Sequence, residues 1–201
     1  MRLVYRIAAT AALALALSGC SLGSILGGGK PPASLLTLAP EVAAPAEYSR
    51  TANAGQAVTV STPVIGKALR TARIPVQVTP TDVQYITDAQ WVDTPDRLFQ
   101  SLLAETIRRT TNRVVLDPRQ ATLDPGLLVT GELHSFGYDT ATGMAVVRYD
   151  ASLSTEGGSR VETRRFEATA PSDGTAASIG PALNRAANQV AQSVAHWIGS
   201  R

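Results

Sequence analysis

The first 19 residues of this 201-residue chain are set apart from the rest by a basic start and an apolar run. Arg2 and Arg6 precede eleven residues, 7–17, that are all Ala, Leu, Ile or Thr, and two small residues follow them. A helix of this length measures about 16 Å, well short of the roughly 30 Å apolar core of a bilayer. The run therefore predicts a secretory signal peptide over residues 1–19 and not a membrane-spanning anchor.

The only cysteine of the chain, Cys20, stands directly after this leader. Leu17, Ser18, Gly19 and Cys20 resemble the bacterial lipobox, in which the cysteine is diacylated and becomes the first residue of the mature protein. The resemblance implies lipidation of Cys20, and two or three acyl chains make such an attachment effectively permanent. Ser21 follows instead of an aspartate. By the sorting rule of many Gram-negative lipoproteins this implies the periplasmic face of the outer membrane, with inner-membrane anchoring as the alternative.

Glycines followed by two prolines dominate residues 20–32, which predicts a lipidated flexible tether with a root-mean-square span of roughly 20 Å. The remaining residues, 33–201, are enough for one domain with its own hydrophobic core. Of the 18 basic residues, Arg2 and Arg6 belong to the leader, so 16 remain against 16 acidic residues. Without the leader the chain is formally neutral, and its arginines are scattered, which predicts no nucleic-acid partner.

Short runs of β-branched and aliphatic residues predict a largely β domain. Strands are predicted over residues 34–38, 56–64, 74–79, 83–86 and 113–116, a loop over 43–55, and an antiparallel meander over 127–138, 145–155 and 160–169. Gly157 and Gly158 suit a two-residue hairpin turn inside this meander. Under that turn Arg148 faces Glu167 and Asp150 faces Arg165, so we expect matched charges on one sheet face.

Two amphipathic helices complete the predicted domain. The first begins at Pro95, with Thr94 as its N-terminal cap and Asp96 in its first turn. The second is predicted over residues 178–198, because Pro181 is tolerated only in a first turn. The fold class is therefore α/β: a mixed β-sheet with an antiparallel meander flanked by two helices. A three-layer sandwich is preferred over two layers with both helices on one face.

Catalytic and metal-binding signatures do not occur in this sequence. His134 alternates with Glu132 and Phe136 in a predicted strand, and His196 lies in the last turn of the final helix. Neither histidine belongs to a metal-ligand spacing, and the chain has no nucleophile elbow or Walker loop. We expect no enzymatic activity, cofactor or metal, and a hydrolase with an unrecognised motif is the weaker alternative.

One family combines these features in the same order. Residues 58–63 (VTVSTP), 69–75 (LRTARIP) and 89–107 resemble the ABC-type transport auxiliary lipoproteins, in which a tryptophan precedes a proline-started helix. The matching positions here are Trp91, Pro95, Leu98, Leu102 and Ile107. Residues 35–40 are similar to the family's first strand, although Leu35 and Leu36 stand where aromatic residues are frequent.

The resemblance implies a role beside an MCE-type system for intermembrane lipid transport. Its partners would be an MCE-type periplasmic protein and an ABC transporter, and an MCE ring would favour a homo-oligomeric ring of this lipoprotein. Trp91 is a candidate for contact either with a partner or with the core. A second hypothesis is an outer-membrane lipoprotein that activates a cell-wall synthesis enzyme by protein contact.

Overall fold

A computed structural model describes residues 35–46, 49–53, 55–119, 126–155 and 158–200. The strands are β1 (Val58–Val60), β2 (Val64–Ile65), β3 (Arg73–Thr79), β4 (Asp82–Gln90), β5 (Val115–Leu116), β6 (Leu127–Asp139), β7 (Met144–Thr155) and β8 (Arg160–Pro171). The helices are α1 (Pro95–Thr110) and α2 (Ala176–Gly199), with a 3₁₀ turn at Lys67–Leu69. One mixed sheet of eight strands with two helices confirms the predicted α/β fold.

Strand β6 is the central strand of the sheet and pairs with four other strands. Its 13 residues extend about 40 Å, which is long enough to pair with several short strands placed end to end. One edge of β6 pairs in parallel with β1, β2 and β3, and the other edge pairs antiparallel with β7, which β8 follows. β4 extends the sheet beyond β3, and β5 extends it beyond β1.

The register of the β7–β8 hairpin is the one expected under the predicted turn, with the matched charges opposite each other. Arg148 is opposite Glu167, and Asp150 is opposite Arg165. The predicted two-residue turn lies partly outside the described residues, because Gly157 is not among them. Gly158 has a φ of 96°, a backbone conformation that glycine adopts without steric cost.

Both helices pack against the same face of β7 and β8. The rings of Phe99 in α1 and Tyr149 in β7 are 5.1 Å apart, and those of Trp197 in α2 and Phe166 in β8 are 5.6 Å apart. Because Tyr149 and Phe166 are register partners, they point to the same side of the sheet. The number of layers stays a prediction, and these contacts favour the two-layer alternative.

Several predicted strands are shorter in the structure. The strand predicted over residues 56–64 is divided into β1 and β2, which meet β6 at separate places. Pro63 interrupts it because proline has no N–H to donate to β6. The strand predicted over 34–38 is represented in the described residues by one isolated bridge between Leu36 and Trp91, and that over 113–116 by β5. The described part of 43–55 has no helix or strand, as predicted.

Helix α1 begins where the sequence predicts it, with a different capping interaction. Thr94 is the N-cap residue, Pro95 is the first helical residue and Asp96 lies in the first turn. The Thr94 hydroxyl forms no capping hydrogen bond. Instead, the Thr94 backbone N–H donates to the Asp93 carboxylate at 2.7 Å.

Helix α2 begins two residues earlier than predicted, at Ala176, so Pro181 lies in its second turn. The cause is a polar cap before the helix. The Thr175 hydroxyl accepts from the Ser178 backbone N–H at 3.3 Å, and the Asp173 carboxylate accepts from the Thr175 backbone N–H at 2.9 Å and from the Ser178 hydroxyl. The Ser178 hydroxyl, followed by Thr175, lowers the pKa of Asp173 from 3.8 to about 2.

Trp91 lies in the hydrophobic core, directly after β4, with 1% of its surface exposed. Its ring meets Phe136 of β6 edge-on at 5.6 Å, and its backbone N–H donates to the Ala72 carbonyl at 2.8 Å. The indole Nε1–H is buried with no hydrogen-bond partner among the described residues. The large apolar area that Trp91 buries therefore outweighs the cost of an unpaired donor.

The cap of α2 predicts a specific pH dependence of stability. The Asp173 carboxylate stabilises the fold above its unfolded pKa of 3.8, and this contribution is lost as the pH falls to about 2. We expect Asp173→Asn to lower Tm at pH 5, and the gap to the wild type to narrow as the pH falls to about 2. Thermal melts followed by circular dichroism measure this gap. Ser178→Ala removes the main cause of the low pKa of Asp173, so in that background the Tm difference should disappear at a higher pH. A Tm difference that does not change with pH contradicts the role of the Asp173 carboxylate in the cap.

The burial of Trp91 predicts a large loss of stability on truncation. We expect Trp91→Ala to lower the free energy of unfolding by about 3–5 kcal/mol, as measured by urea titration. Trp91→Phe should cost less, because it keeps a ring beside Phe136 and removes the unpaired N–H. The neighbouring Val92, 51% exposed, gives the control Val92→Ala, which should have a small effect. A Trp91→Ala protein as stable as this control would contradict the core role.

Candidate functional site

The sheet face opposite the helices, here called the open face, carries two cross-strand ion pairs. Arg148 Nε is 2.6 Å from Glu167 Oε2, and Arg165 Nη2 is 2.7 Å from Asp150 Oδ2. Hydrogen bonding to Arg148 lowers the pKa of Glu167, and hydrogen bonding to Arg165 is the main cause that lowers the pKa of Asp150. Solvent screens exposed pairs of this kind, so they contribute little to stability. Both carboxyl groups stay ionised at neutral pH, so they are poor proton donors.

His134 joins this cluster through an irregularity in β6. Between Leu133 and Ser135 the register with β7 shifts by one residue, so His134 is the extra residue of a β-bulge. Its Nε2 is 3.0 Å from the Asp150 carboxylate, and its Nδ1 is 3.4 Å from the Glu132 carboxylate. The bulge thus orients the histidine between two acidic side chains on the open face.

A groove of about 530 Å³ adjoins the ion pairs on the open face. Gly137, Val146 and Thr169, which are register partners across β6, β7 and β8, line it, and Pro75 and Val83 contribute from the β3–β4 hairpin. Gly137 permits the close approach of β3, because a Cβ atom there would lie 2.4 Å from the Pro75 carbonyl oxygen. Its lining combines apolar side chains with the charged groups of Arg148 and Glu167.

An extended segment, residues 36–42, crosses the opposite side of the domain and is here called the strap. The Leu36 backbone N–H donates to the Gln90 carbonyl, and the Val92 backbone N–H donates to the Leu36 carbonyl, both at 2.8 Å. The Leu36 side chain lies against α2 at Gly180, where an added Cβ would be 3.0 Å from Leu36 Cδ1. The strap therefore joins the end of β4 to helix α2.

Two asparagines of α2 bind the backbone of the strap. Asn184 Oδ1 accepts from the Ala39 backbone N–H at 2.8 Å, and Asn188 Oδ1 accepts from the Glu41 backbone N–H at 2.9 Å. Asn188 Nδ2 donates to the Ala39 carbonyl at 2.9 Å. Beyond them, Arg109 Nη1 of α1 donates to the Val42 carbonyl at 2.7 Å. The strap is thus held to both helices mainly through its main chain.

Among the residues singled out in the sequence, Trp91 is a core residue, and His196, for which no site was predicted, lies in the last turn of α2. Within the described ranges, no three His, Cys, Asp or Glu side chains are grouped so that they could hold a metal ion. The part of the chain that the structure covers contains no helix long and apolar enough to cross a membrane. Cys20, the predicted lipidation site, lies outside the described residues.

Sequence reasoning missed the asparagine pair. The signal that could have revealed it is Asn188, a polar residue among the otherwise apolar residues that α2 buries. Asparagine is unfavourable inside a helix, and a buried amide needs hydrogen-bond partners. Its spacing of four from Asn184 places both amides on one face.

Solved structures resemble this chain in fold. Protein XCC0632 from Xanthomonas campestris, of the family DUF330, aligns with a TM-score of 0.71 at 18% identity, over 84% of this chain and 95% of that chain. A second structure, of an uncharacterized protein, aligns with a TM-score of 0.62 at 12% identity, over 75% of this chain and 97% of that chain. PelC of Paraburkholderia phytofirmans, a dodecamer, reaches a TM-score of only 0.45 at 17% identity, over 77% of this chain and 95% of that chain.

These identities support a shared fold and nothing finer, and the likeness to PelC is too weak to support any argument. No curated protein matches the sequence. The model of the family described as the ABC-type transport auxiliary lipoprotein component matches residues 36–195, which is most of the chain. The chain therefore belongs to the family of ABC-type transport auxiliary lipoprotein components.

Proposed function

We propose that this protein is the lipid-anchored docking component of an MCE-type intermembrane lipid transport system, at the periplasmic face of the outer membrane. The observation that carries the proposal is the family match over residues 36–195, which follows the leader, Cys20 and the tether in the sequence. A family of transport auxiliary lipoproteins supplies the link to an ABC transporter. The lipobox is the basis for proposing membrane attachment, and Ser21, in place of an aspartate, is the basis for proposing the outer membrane.

A non-catalytic role fits the chemistry of the open face. The carboxylates of its two ion pairs, Glu167 and Asp150, are 2.6 and 2.7 Å from arginine nitrogens, and these contacts lower their pKa values. A general acid needs the opposite shift, toward neutral pH. The ion pairs instead present a neutral, patterned surface, and such surfaces favour specificity in protein contacts over strong attraction.

The identity of the partner decides between this proposal and its alternative. The lipidated protein with a C-terminal tag would be cross-linked in cells, and its partners identified by mass spectrometry. Recovery of an MCE protein or its ABC transporter supports lipid transport. Recovery of cell-wall synthesis enzymes, with neither of those, would replace it with the second hypothesis of an enzyme-activating lipoprotein.

A homo-oligomeric ring is part of the proposal, because a ring-shaped MCE partner presents repeated equivalent surfaces to this lipoprotein. Light scattering of the lipidated protein in detergent, coupled to size exclusion, measures its oligomeric state. A closed ring gives one discrete mass at a multiple of the protomer. A monomer at every concentration, alone and with the recovered partner, overturns this part.

Removal of the lipidation site gives a direct prediction. We expect Cys20→Ala to appear in the soluble periplasmic fraction and to disturb the phospholipid balance of the envelope as much as deletion does, because an unanchored domain no longer stays at the membrane. Ser18→Ala, which keeps both a small residue and the cysteine, is the control and should stay in the membrane fraction with normal lipids. A soluble Cys20→Ala protein that keeps the lipid balance normal would refute anchoring as a requirement.

A further inference from the structure

We infer that Asn184 and Asn188 form a binding site for an extended peptide main chain, that the strap occupies it, and that this site fixes where the lipid tether leaves the domain. The existence of the site depends only on the fold. Its effect on the tether rests on the proposed function, because it requires that residues 21–34 connect the domain to a lipidated Cys20.

The Asn188 amide binds the strap as a neighbouring β-strand would. Its Oδ1 accepts from the Glu41 backbone N–H, and its Nδ2 donates to the Ala39 carbonyl, each at 2.9 Å. A residue in a parallel strand forms the same pair of bonds, to the carbonyl of one residue and the N–H two residues later. Nδ2 also donates to the Asn184 carbonyl at 2.9 Å. All three bonds satisfy an amide that is 0% exposed and would otherwise be costly to bury.

The sequence of the strap suits a site that binds its backbone from one side only. In an extended chain, the N–H groups of alternate residues point to the same side. Ala39 and Glu41 both direct their N–H groups to the asparagines. Pro40, between them, has no N–H and leaves no donor unsatisfied on the other side, and it favours an extended conformation at Ala39.

The contacts follow one stripe of α2. Gly180, Asn184 and Asn188 are spaced by four residues, so they succeed one another along a single helix face at about 6 Å intervals. Leu36 lies at Gly180, and the backbone of residues 39–41 lies at the two asparagines. The strap therefore runs parallel to α2, and its first residue, Leu36, lies beside Gly180 and the end of β4.

This attachment shortens the chain available to the anchor. With the strap bound, the residues after Cys20 reach the domain at residue 36, whereas a released strap adds residues 36–42 to the tether. Seven residues add about 23–25 Å to the largest possible reach. Bound strap and released strap thus differ in both the exit point and the distance that the domain can cover.

Hydrogen–deuterium exchange of the full-length lipidated protein in detergent tests the site. We expect Asn184→Ala and Asn188→Ala to speed the exchange of peptides covering the strap by about tenfold or more, with β6, β7 and β8 unchanged. Gln189→Ala, an exposed amide on the same helix, is the control and should leave the strap unchanged. Unchanged strap exchange in the Asn184→Ala protein overturns the site. If circular dichroism shows that Asn188→Ala does not fold, strap exchange in the variant of the half-buried Asn184, Asn184→Ala, is the result that tests the site.

A suppressor experiment in cells tests the effect on the tether. Deleting residues 24–29 should impair the phospholipid balance of the envelope, and Asn184→Ala should restore it by returning the strap to the tether, whereas Gln189→Ala should not. Faster strap exchange without restoration, or a shortened protein that works normally, overturns the role in tether reach. Failure of the proposed function is recognised separately, because Cys20→Ala would then leave the lipid balance normal while the exchange result still holds.

Discussion

The pairing of β6 with four other strands is the interaction on which the rest of the domain depends. Its edge toward β1, β2 and β3 gathers segments that are far from it in sequence, and its other edge carries the β7–β8 hairpin. Because side chains alternate along a strand, a slip of one residue in β6 would exchange the buried and open faces. The bulge at His134 shifts the alternation of side chains by one residue at this point. Leu133 and Phe136 are therefore both buried, although an odd spacing of three would place them on opposite faces of a regular strand.

The local patterns of the sequence were enough to predict the hairpin and the helices. The turn residues between β7 and β8 predicted the correct register, and the positions of Pro95 and Pro181 predicted both helix starts to within two residues of those observed. The division of residues 56–64 into β1 and β2 was not predictable in this way, because it depends on where β6 meets each piece. The start of α2 was misplaced for a related reason: the cap formed by Asp173, Thr175 and Ser178 outweighs the preference of Pro181 for a first turn.

The candidate site was also predictable only where its residues are close in sequence. Open-face ion pairs were predictable because their partners lie 15 to 19 residues apart in one hairpin. The asparagine site was not predictable, because Asn188 and Glu41 are separated by 147 residues and no local pattern in either segment indicates that they are in contact. Trp91 was open to two interpretations in the sequence, and its burial against Phe136 places it in the core.

Strand β8 has a consequence for behaviour at a crowded membrane. Among the described strands it pairs with β7 alone, so its 12 residues form one border of the sheet. A long open border can template pairing with another copy, and attachment to one surface raises the local concentration of copies. Five charged residues occupy β8: Arg160, Glu162, Arg164, Arg165 and Glu167. Burying these charges in an intermolecular sheet would be costly, so the strand resists aggregation where lipoproteins are densely packed.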